Sequence, residues 1–342
     1  MQAKKILITG GAGFIGSEVV RQAIAGGLEV IAVDNLHNGK QENLDGLLGD
    51  QIKLVIADIR DTERMRTLMQ DIDVVYHLAC LCVRHSFHSP QENHEINATA
   101  TLQLISLAHK LSVKRFVFIS SAEVYGATLS MVAAERISEN HPTYPTNVYG
   151  AAKLAGEGYA LAYHHSFGFP TVVLRLFNTF GPRCHHEGDC GEVIPKFMLR
   201  SLAGRPFIVF GDGTQTRDYN YVSDTARAIL LAGMRDEAIG QIINIGSGYE
   251  TSVNDLAREV AAVATGGEVS IHHENPRPGD IERMCADGTR AWELLGYKPM
   301  ISLRDGLLRL KEWYLNHNLS LEDLLAQEVV HNWDKRELSQ NS

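Results

Sequence analysis

The chain has 342 residues, 44% of them hydrophobic and 21% charged, and a formal net charge of −9. That length suits two closely packed lobes, and the composition is that of an ordinary soluble globular protein. The negative balance argues against a nonspecific nucleic-acid binder, and no stretch approaches the roughly 20 apolar residues that a membrane span needs.

The opening apolar run, Ile6-Leu7-Ile8-Thr9, is too short for a signal peptide and fits a buried first strand. Five cysteines, an odd number, with no secretory signal, lead us to expect a cytoplasmic protein with free thiols. Further short apolar segments at 29–34, 53–57, 74–77, 115–120 and 171–176 read as strands, with room between them for crossover helices. This alternation predicts an α/β fold built on a doubly wound parallel Rossmann sheet. Runs such as Val117-Phe118-Ile119 are apolar on both faces, as strands covered on both sides require. After about Asn178 the pattern is broken by Gly, Pro, His and charged residues, which predicts a smaller C-terminal substrate lobe. A helix over 223–234 and a strand over 241–245 are regular enough to return to the main sheet, so the lobes interleave. The residues after about Leu319 are polar and are expected to form a peripheral tail.

The first strand runs into Gly10-Gly11-Ala12-Gly13-Phe14-Ile15-Gly16. In a strand–turn–helix unit, Gly10 takes the tight turn, Gly13 lets a pyrophosphate approach the backbone, and Gly16 lets the helix lie close to the strand. A helix beginning near Phe14 offers free N–H groups to phosphate. Taken alone, the glycine pattern is also that of any glycine-rich turn. Asp34, followed by Asn35, closes the second strand where an acid accepts hydrogen bonds from the adenosine ribose. A carboxylate there repels the extra phosphate of NADP, so the expected cofactor is NAD. Asp58 and Ile59, after the third strand, sit where side chains meet the adenine.

Farther on, Tyr149 and Lys153 stand four apart at the start of an Ala-rich helix, on one face. A phenol with a pKa of about 10 is a poor base at neutral pH. A neighbouring ammonium and a nicotinamide cation would each favour the phenolate. An isolated Tyr-x-x-x-Lys is more simply a buried Tyr and a solvated Lys. Here, however, a buried strand upstream ends in Ser120-Ser121-Ala122-Glu123, at the carboxyl edge where open α/β sheets bind ligands. Ser121 can hold a substrate hydroxyl for Tyr149, and Glu123 can be a second acid or base.

With these motifs the sequence resembles the extended short-chain dehydrogenase/reductases of the nucleotide-sugar epimerase/dehydratase/decarboxylase group. The resemblance runs from about residue 4 to about 315. It rests on Thr9 to Gly16, Asp58-Ile59-Arg60, His77-Leu78-Ala79, Ser120 to Gly126, Tyr149 to Lys153, Arg175 to Asn178, Gly181-Pro182-Arg183, Gly211 to Gly213, Arg217-Asp218, and Arg277 to Asp280. It implies NAD held tightly, transient oxidation of a sugar carbon (usually C4), and return of the hydride to the same molecule. By the same resemblance Tyr149 is the base, Lys153 lowers its pKa and binds the nicotinamide ribose, and Ser121 positions the hydroxyl. Leu78 and Ala79 fall beside the cofactor. Asn178 matches a diphosphate-binding Asn, Val193 and Phe197 match a segment closing over the base, and Arg217 and Arg277 match a diphosphate clamp. Asp280 is placed on the nucleotide ribose. Arg84 faces either the sugar pocket or the surface. The expected division is residues 1–177 and 219–247 for NAD, 178–218 and 248–320 for the nucleotide sugar, and 321–342 as tail.

For the reaction, Ala122 is epimerase-like, whereas Glu123 is dehydratase- or decarboxylase-like. The expectation is a UDP-sugar 4-epimerase, with dehydration or decarboxylation through Glu123 as the alternative, and a non-catalytic NAD-binding regulator as an alternative of another class. The run Cys184-His185-His186-Glu187-Gly188-Asp189-Cys190 has residues that zinc favours. It is read instead as a loop shaping the sugar pocket, with no metal. Cys80 and Cys82 are expected to pack near the cofactor. A homodimer is expected through the Tyr149 helix and a helix over 95–111, with Ala98, Leu102 and Ile105 on one face; the same residues could equally pack within a subunit.

Overall fold

A computed structural model of the protein describes residues 3–126, 136–268, 270–277 and 280–334. Seven parallel strands form the main sheet: β1 (Lys5–Thr9), β2 (Glu29–Asp34), β3 (Ile52–Ile56), β4 (Val74–His77), β5 (Arg115–Ser121), β6 (Thr171–Leu176) and, numbered last of these in the chain, Ile242–Ile245. Between β6 and that last strand come β7 (Asn178–Phe180), β8 (Phe207–Phe210) and β9 (Thr216–Tyr221), so Ile242–Ile245 is β10. Two further strands are β11 (Glu250–Ser252) and β12 (Ile271–Glu274). The main sheet has the order β10-β6-β5-β4-β1-β2-β3. The chain therefore winds outward from β1 in one direction, then resumes at β4 in the other. This reversal opens a crevice between the carboxyl ends of β1 and β4.

Alternation along the strands feeds two buried layers. Val117 and Ile119 of β5 join one apolar cluster with Ile6 and Ile8, while Phe116 and Phe118 join the opposite one with Leu7 and Val173. The helices that cover these faces include α1 (Phe14–Ala25), α2 (Thr62–Leu68), α3 (Ala100–Lys110) and α4 (Val148–Phe167). Asn147 caps α4 by accepting from the Gly150 N–H at 2.7 Å, and Gly168 ends it at φ +63°. A third cluster gathers α5 (Val193–Leu202), α7 (Val253–Ala264), α8 (Leu303–Leu315) and α9 (Leu321–Leu325) around β8 and β9, whereas α6 (Val222–Met234) touches it through Val222 and packs Ala226, Ala228, Ile229 and Ala232 into the first cluster. There β7 and β11 flank β9, and β12 pairs with β8. Among the described residues no helix is long and apolar enough to cross a membrane.

Two expectations need amendment. The helix expected over 95–111 is interrupted: Glu95–Thr99 is a π-helical turn and α3 begins only at Ala100. Ala98 and Ile105 are fully buried within the subunit and Leu102 is half-buried. Of the stretch after Leu319, expected to be a peripheral tail, residues 320–334 pack back on the body, with Leu324, Val329 and Asn332 buried, and residues 335–342 lie outside the described residues.

Candidate active site

The crevice deepens into one cavity of about 480 Å³. Every residue singled out from the sequence for cofactor, catalysis or substrate lines it, from Gly10 on one side to Asp280 on the other.

On the cofactor side the glycines make a cradle. Gly10 sits at φ +69°, and a Cβ there would come within 2.8 Å of the Ala79 nitrogen. A Cβ at Gly16 would lie 1.9 Å from the Gly10 carbonyl. Helix α1 has no side-chain cap and no acid in its first turn, which leaves its leading N–H groups for a phosphate. Asp34 is buried; its two oxygens accept from Ala12 N–H at 3.0 Å and Leu36 N–H at 2.8 Å. Each oxygen keeps a further lone pair, enough for two ribose hydroxyls. Burial pushes its pKa up against those backbone bonds. Asp58 lies nearby and is bonded to Arg60 through both oxygens, at 2.6 and 3.0 Å. Glycine cradle, uncapped helix end and ribose acid fit NAD.

His77 supports this wall from behind. Its Nδ1 lies 2.7 Å from Thr9 Oγ1 and its Nε2 2.9 Å from Thr101 Oγ1. Because Thr101 donates to the Asn97 carbonyl and Thr9 accepts from Ala79 N–H, one neutral tautomer (Nε2–H) satisfies every group. Burial, and then the charge of Lys153, push its pKa down to about 3.

At the centre, α4 brings Tyr149 and Lys153 against the end of β5. Lys153 Nζ donates to the Ile119 carbonyl at 2.9 Å and lies 5.7 Å from the centre of the Tyr149 ring. Burial pushes the Lys153 pKa down and the Tyr149 pKa up, the latter reinforced by Cys80, Glu123 and Cys82. A hydrogen bond with Ser121 works in the opposite sense on the phenol. Glu123 accepts from Asn147 Nδ2 at 2.9 Å, so the residue that caps α4 also holds this carboxyl. Burial raises the Glu123 pKa, opposed by the Asn147 bond.

The substrate side holds side chains with unspent bonding capacity. Asn178 Oδ1, the Tyr219 hydroxyl, Arg84 Nε and Arg277 Nε are buried without a hydrogen-bond partner, and all four residues line the cavity. Buried orphans of this kind point to an absent polar ligand. Arg217, by contrast, is bonded to Asp280 at 2.6 Å and to the Ile281 carbonyl at 2.6 Å. Of the two placements open to Arg84, the structure shows the pocket wall and not the surface. One of its two terminal nitrogens, Nη2, is already engaged, donating to the Gly191 carbonyl at 2.7 Å and pairing with Glu192 at 3.1 Å. The loop after β7 also brings Asp189 and Cys190 to Cys82, with donor atoms within 4.8 Å of one another. Arg84 already supplies positive charge beside all three, and Asp189 is bonded to His88 at 3.1 Å, so the group has little need of a cation. Cys184 and His186 of the same loop are buried apart from the cavity lining. Sequence reasoning missed Phe210, Tyr219 and Trp333, which also line the cavity. A lone tryptophan in a polar tail was the available signal for the last.

Comparison with known proteins agrees with this geometry: residues 6–246 match the model of the NAD dependent epimerase/dehydratase family. The chain belongs to that family. It is therefore an NAD-dependent enzyme, with the Rossmann sheet its relatives share. The UDP-glucose 4-epimerase of Mycolicibacterium smegmatis is 36% identical over 91% of this chain and 99% of its own length. UDP-glucuronic acid decarboxylase 1 of Arabidopsis thaliana is 33% identical over 93% of this chain and 72% of its own. Among solved structures, the UDP-glucose 4-epimerase of Thermotoga maritima, determined with UDP-glucose, superposes with a TM-score of 0.84 at 35% identity, covering 91% of this chain and 98% of that one. Epimerase/dehydratase family membership thus extends over most of the sequence.

Proposed function

We propose that the protein is a cytoplasmic UDP-sugar 4-epimerase that works through transient oxidation at C4. The observation that carries this reading is the joint placement of Ser121, Tyr149 and Lys153 at the end of β5, beside the glycine cradle and in one cavity with Asn178 and Arg277. Bound NAD would supply the acceptor, and then the donor, for the C4 hydride. Ser121 holds the C4 hydroxyl and Tyr149 takes its proton. Lys153, with its ammonium near the ring, favours the ionised phenol and reaches the cofactor ribose. The resulting 4-keto sugar turns about its diphosphate link and presents its other face, after which Tyr149 returns the proton to the C4 oxygen. Asn178, Arg217 and Arg277 hold the diphosphate, Val193 and Phe197 the base, and Asp280 the ribose. In this scheme residues 1–177 and 219–247 serve NAD, while 178–218 and 248–320 serve the nucleotide sugar. Homodimerisation through α4 belongs to the same proposal.

Ala122 has no proton to give, so expulsion of a 6-hydroxyl would fall to Glu123 alone. The raised pKa of Glu123, in the cavity wall, favours a second reading in which it is that acid, or in which a uronic acid loses carbon dioxide. Incubating the purified holoenzyme with UDP-glucose, UDP-N-acetylglucosamine and UDP-glucuronate, with mass and NMR readout, separates these. Epimerisation gives a C4 isomer of unchanged mass; a product lighter by water or carbon dioxide would replace the first reading by the second.

A further inference from the structure

The UDP-glucose 4-epimerases of M. smegmatis and T. maritima are matched almost end to end, yet about a tenth of this chain is left over. The resemblance read from the sequence stops near residue 315, and the residues beyond it are held to the body by a series of bonds. Leu324 of α9 is buried in the third cluster. Glu328 pairs with Arg200 at 2.9 Å, and Lys196 Nζ donates to the Val329 carbonyl at 2.7 Å. Asn332 is buried and donates to the carbonyls of Asp189 and Gly191, at 3.2 and 3.0 Å. His331 meets Glu274 at 2.6 Å. These bonds fix a strap along the cavity and deliver Trp333 into its lining.

Trp333 stands edge-on to Phe210, ring centres 4.8 Å apart. The Arg277 guanidinium lies over both rings, 4.9 Å from the centre of Phe210 and 5.4 Å from that of Trp333. Its Nε is buried with no hydrogen-bond partner. An arginine held by two aromatic faces keeps its in-plane N–H groups free for an anion.

We propose that residues 328–334 are a working part of the nucleotide site, with Trp333 a positioning residue that holds Arg277 against Phe210 for a diphosphate. This rests on the nucleotide-sugar reading above. The strap makes the pocket complete only when the C-terminal segment is docked.

The test uses full-length holoprotein and UDP as probe. Trp333→Ala should raise the dissociation constant for UDP, by titration calorimetry, and KM for the nucleotide sugar about tenfold, while kcat changes far less. Trp333→Phe should restore most of the loss, and both variants should keep their bound NAD. In an Arg277→Met background, Trp333→Ala should cost little more, because the two residues act as one unit. Unaltered UDP affinity in Trp333→Ala, or full additivity with Arg277→Met, would overturn the inference. Wild-type protein that bound no UDP would overturn the nucleotide reading and this inference with it.

Discussion

Burial beside Cys80, Glu123 and Cys82 makes the Tyr149 phenol hard to ionise; the Ser121 bond works against this, and the Lys153 amine lies 5.7 Å from the ring centre. Two substitutions probe this balance. Tyr149→Phe should lower kcat by about two to four orders of magnitude with NAD still bound, which absorbance of the cofactor and turnover on the same sample would check. Lys153→Met should move the rising limb of the pH–rate profile toward alkaline pH; an unmoved limb would mean the ammonium does not govern the phenol. His77 bears on stability instead. Its folded pKa, about 3, lies below the ordinary 6.5, so between these values the unfolded chain binds the extra proton. Stability is therefore complete above about pH 6.5 and is lost as pH falls, by at most about 1.4 kcal/mol per pH unit. Urea unfolding at pH 7 and pH 5 should show a steeper acid loss in the wild type than in His77→Gln. Residues such as these were legible in the sequence because their motifs are local: Tyr149 and Lys153 share a helical turn, and Gly10 to Gly16 a single strand–turn–helix. Beyond reach were partners distant in sequence. Nothing near Glu123 announces that Asn147 will hold its carboxyl, and nothing near Arg84 announces Glu192 and the Gly191 carbonyl.

Among the elements, α4 matters most, because its first two turns carry Tyr149 and Lys153, the pair proposed to be catalytic. It is fixed to the sheet by a buried cluster: Glu157 accepts from Arg175 at 2.6 and 2.9 Å and from Ser120 at 2.5 Å, and Arg175 lies 4.6 Å from the Tyr125 ring centre. Arg175→Met strands a buried carboxylate, so it should destabilise the fold by about 3–5 kcal/mol. Denaturant unfolding would register this as an earlier midpoint, and a loss below about 1 kcal/mol would show that water or relaxation rescues Glu157. The strands were readable since buried parallel strands are continuous apolar runs, and the observed bounds differ from expectation by a residue at most. The π-helical turn at Glu95–Thr99 was not readable. It is held where Asn97 uses its amide to pair with both backbone groups of Leu81, at 3.0 Å each, while Asn93 reaches the Cys82 carbonyl at 3.0 Å. Periodicity reports which face of a helix is apolar, and a one-residue widening held by side chain-to-backbone bonds leaves that signal nearly intact.

For the molecule as a whole, two winding directions of one sheet create the crevice, elements of the third cluster line its other side, and the strap brings Trp333 to its wall. The winding was visible in the sequence as an alternation of strands and helices, and the loss of that alternation after Asn178 underlies the proposed second lobe. The strap was hidden by its composition. It docks mainly through backbone carbonyls and single side chains such as Asn332 and Trp333, which leave no hydrophobic period to read. On the proposed reading this architecture serves one event, the removal and return of hydride at one sugar carbon. The most direct measurement traces UDP-glucose deuterated at C4 through the enzyme in ordinary water, with NMR of the product. The account predicts a C4 epimer that keeps the deuterium on C4. Deuterium lost to solvent, or a product formed with C4 configuration unchanged and mass reduced, would contradict it.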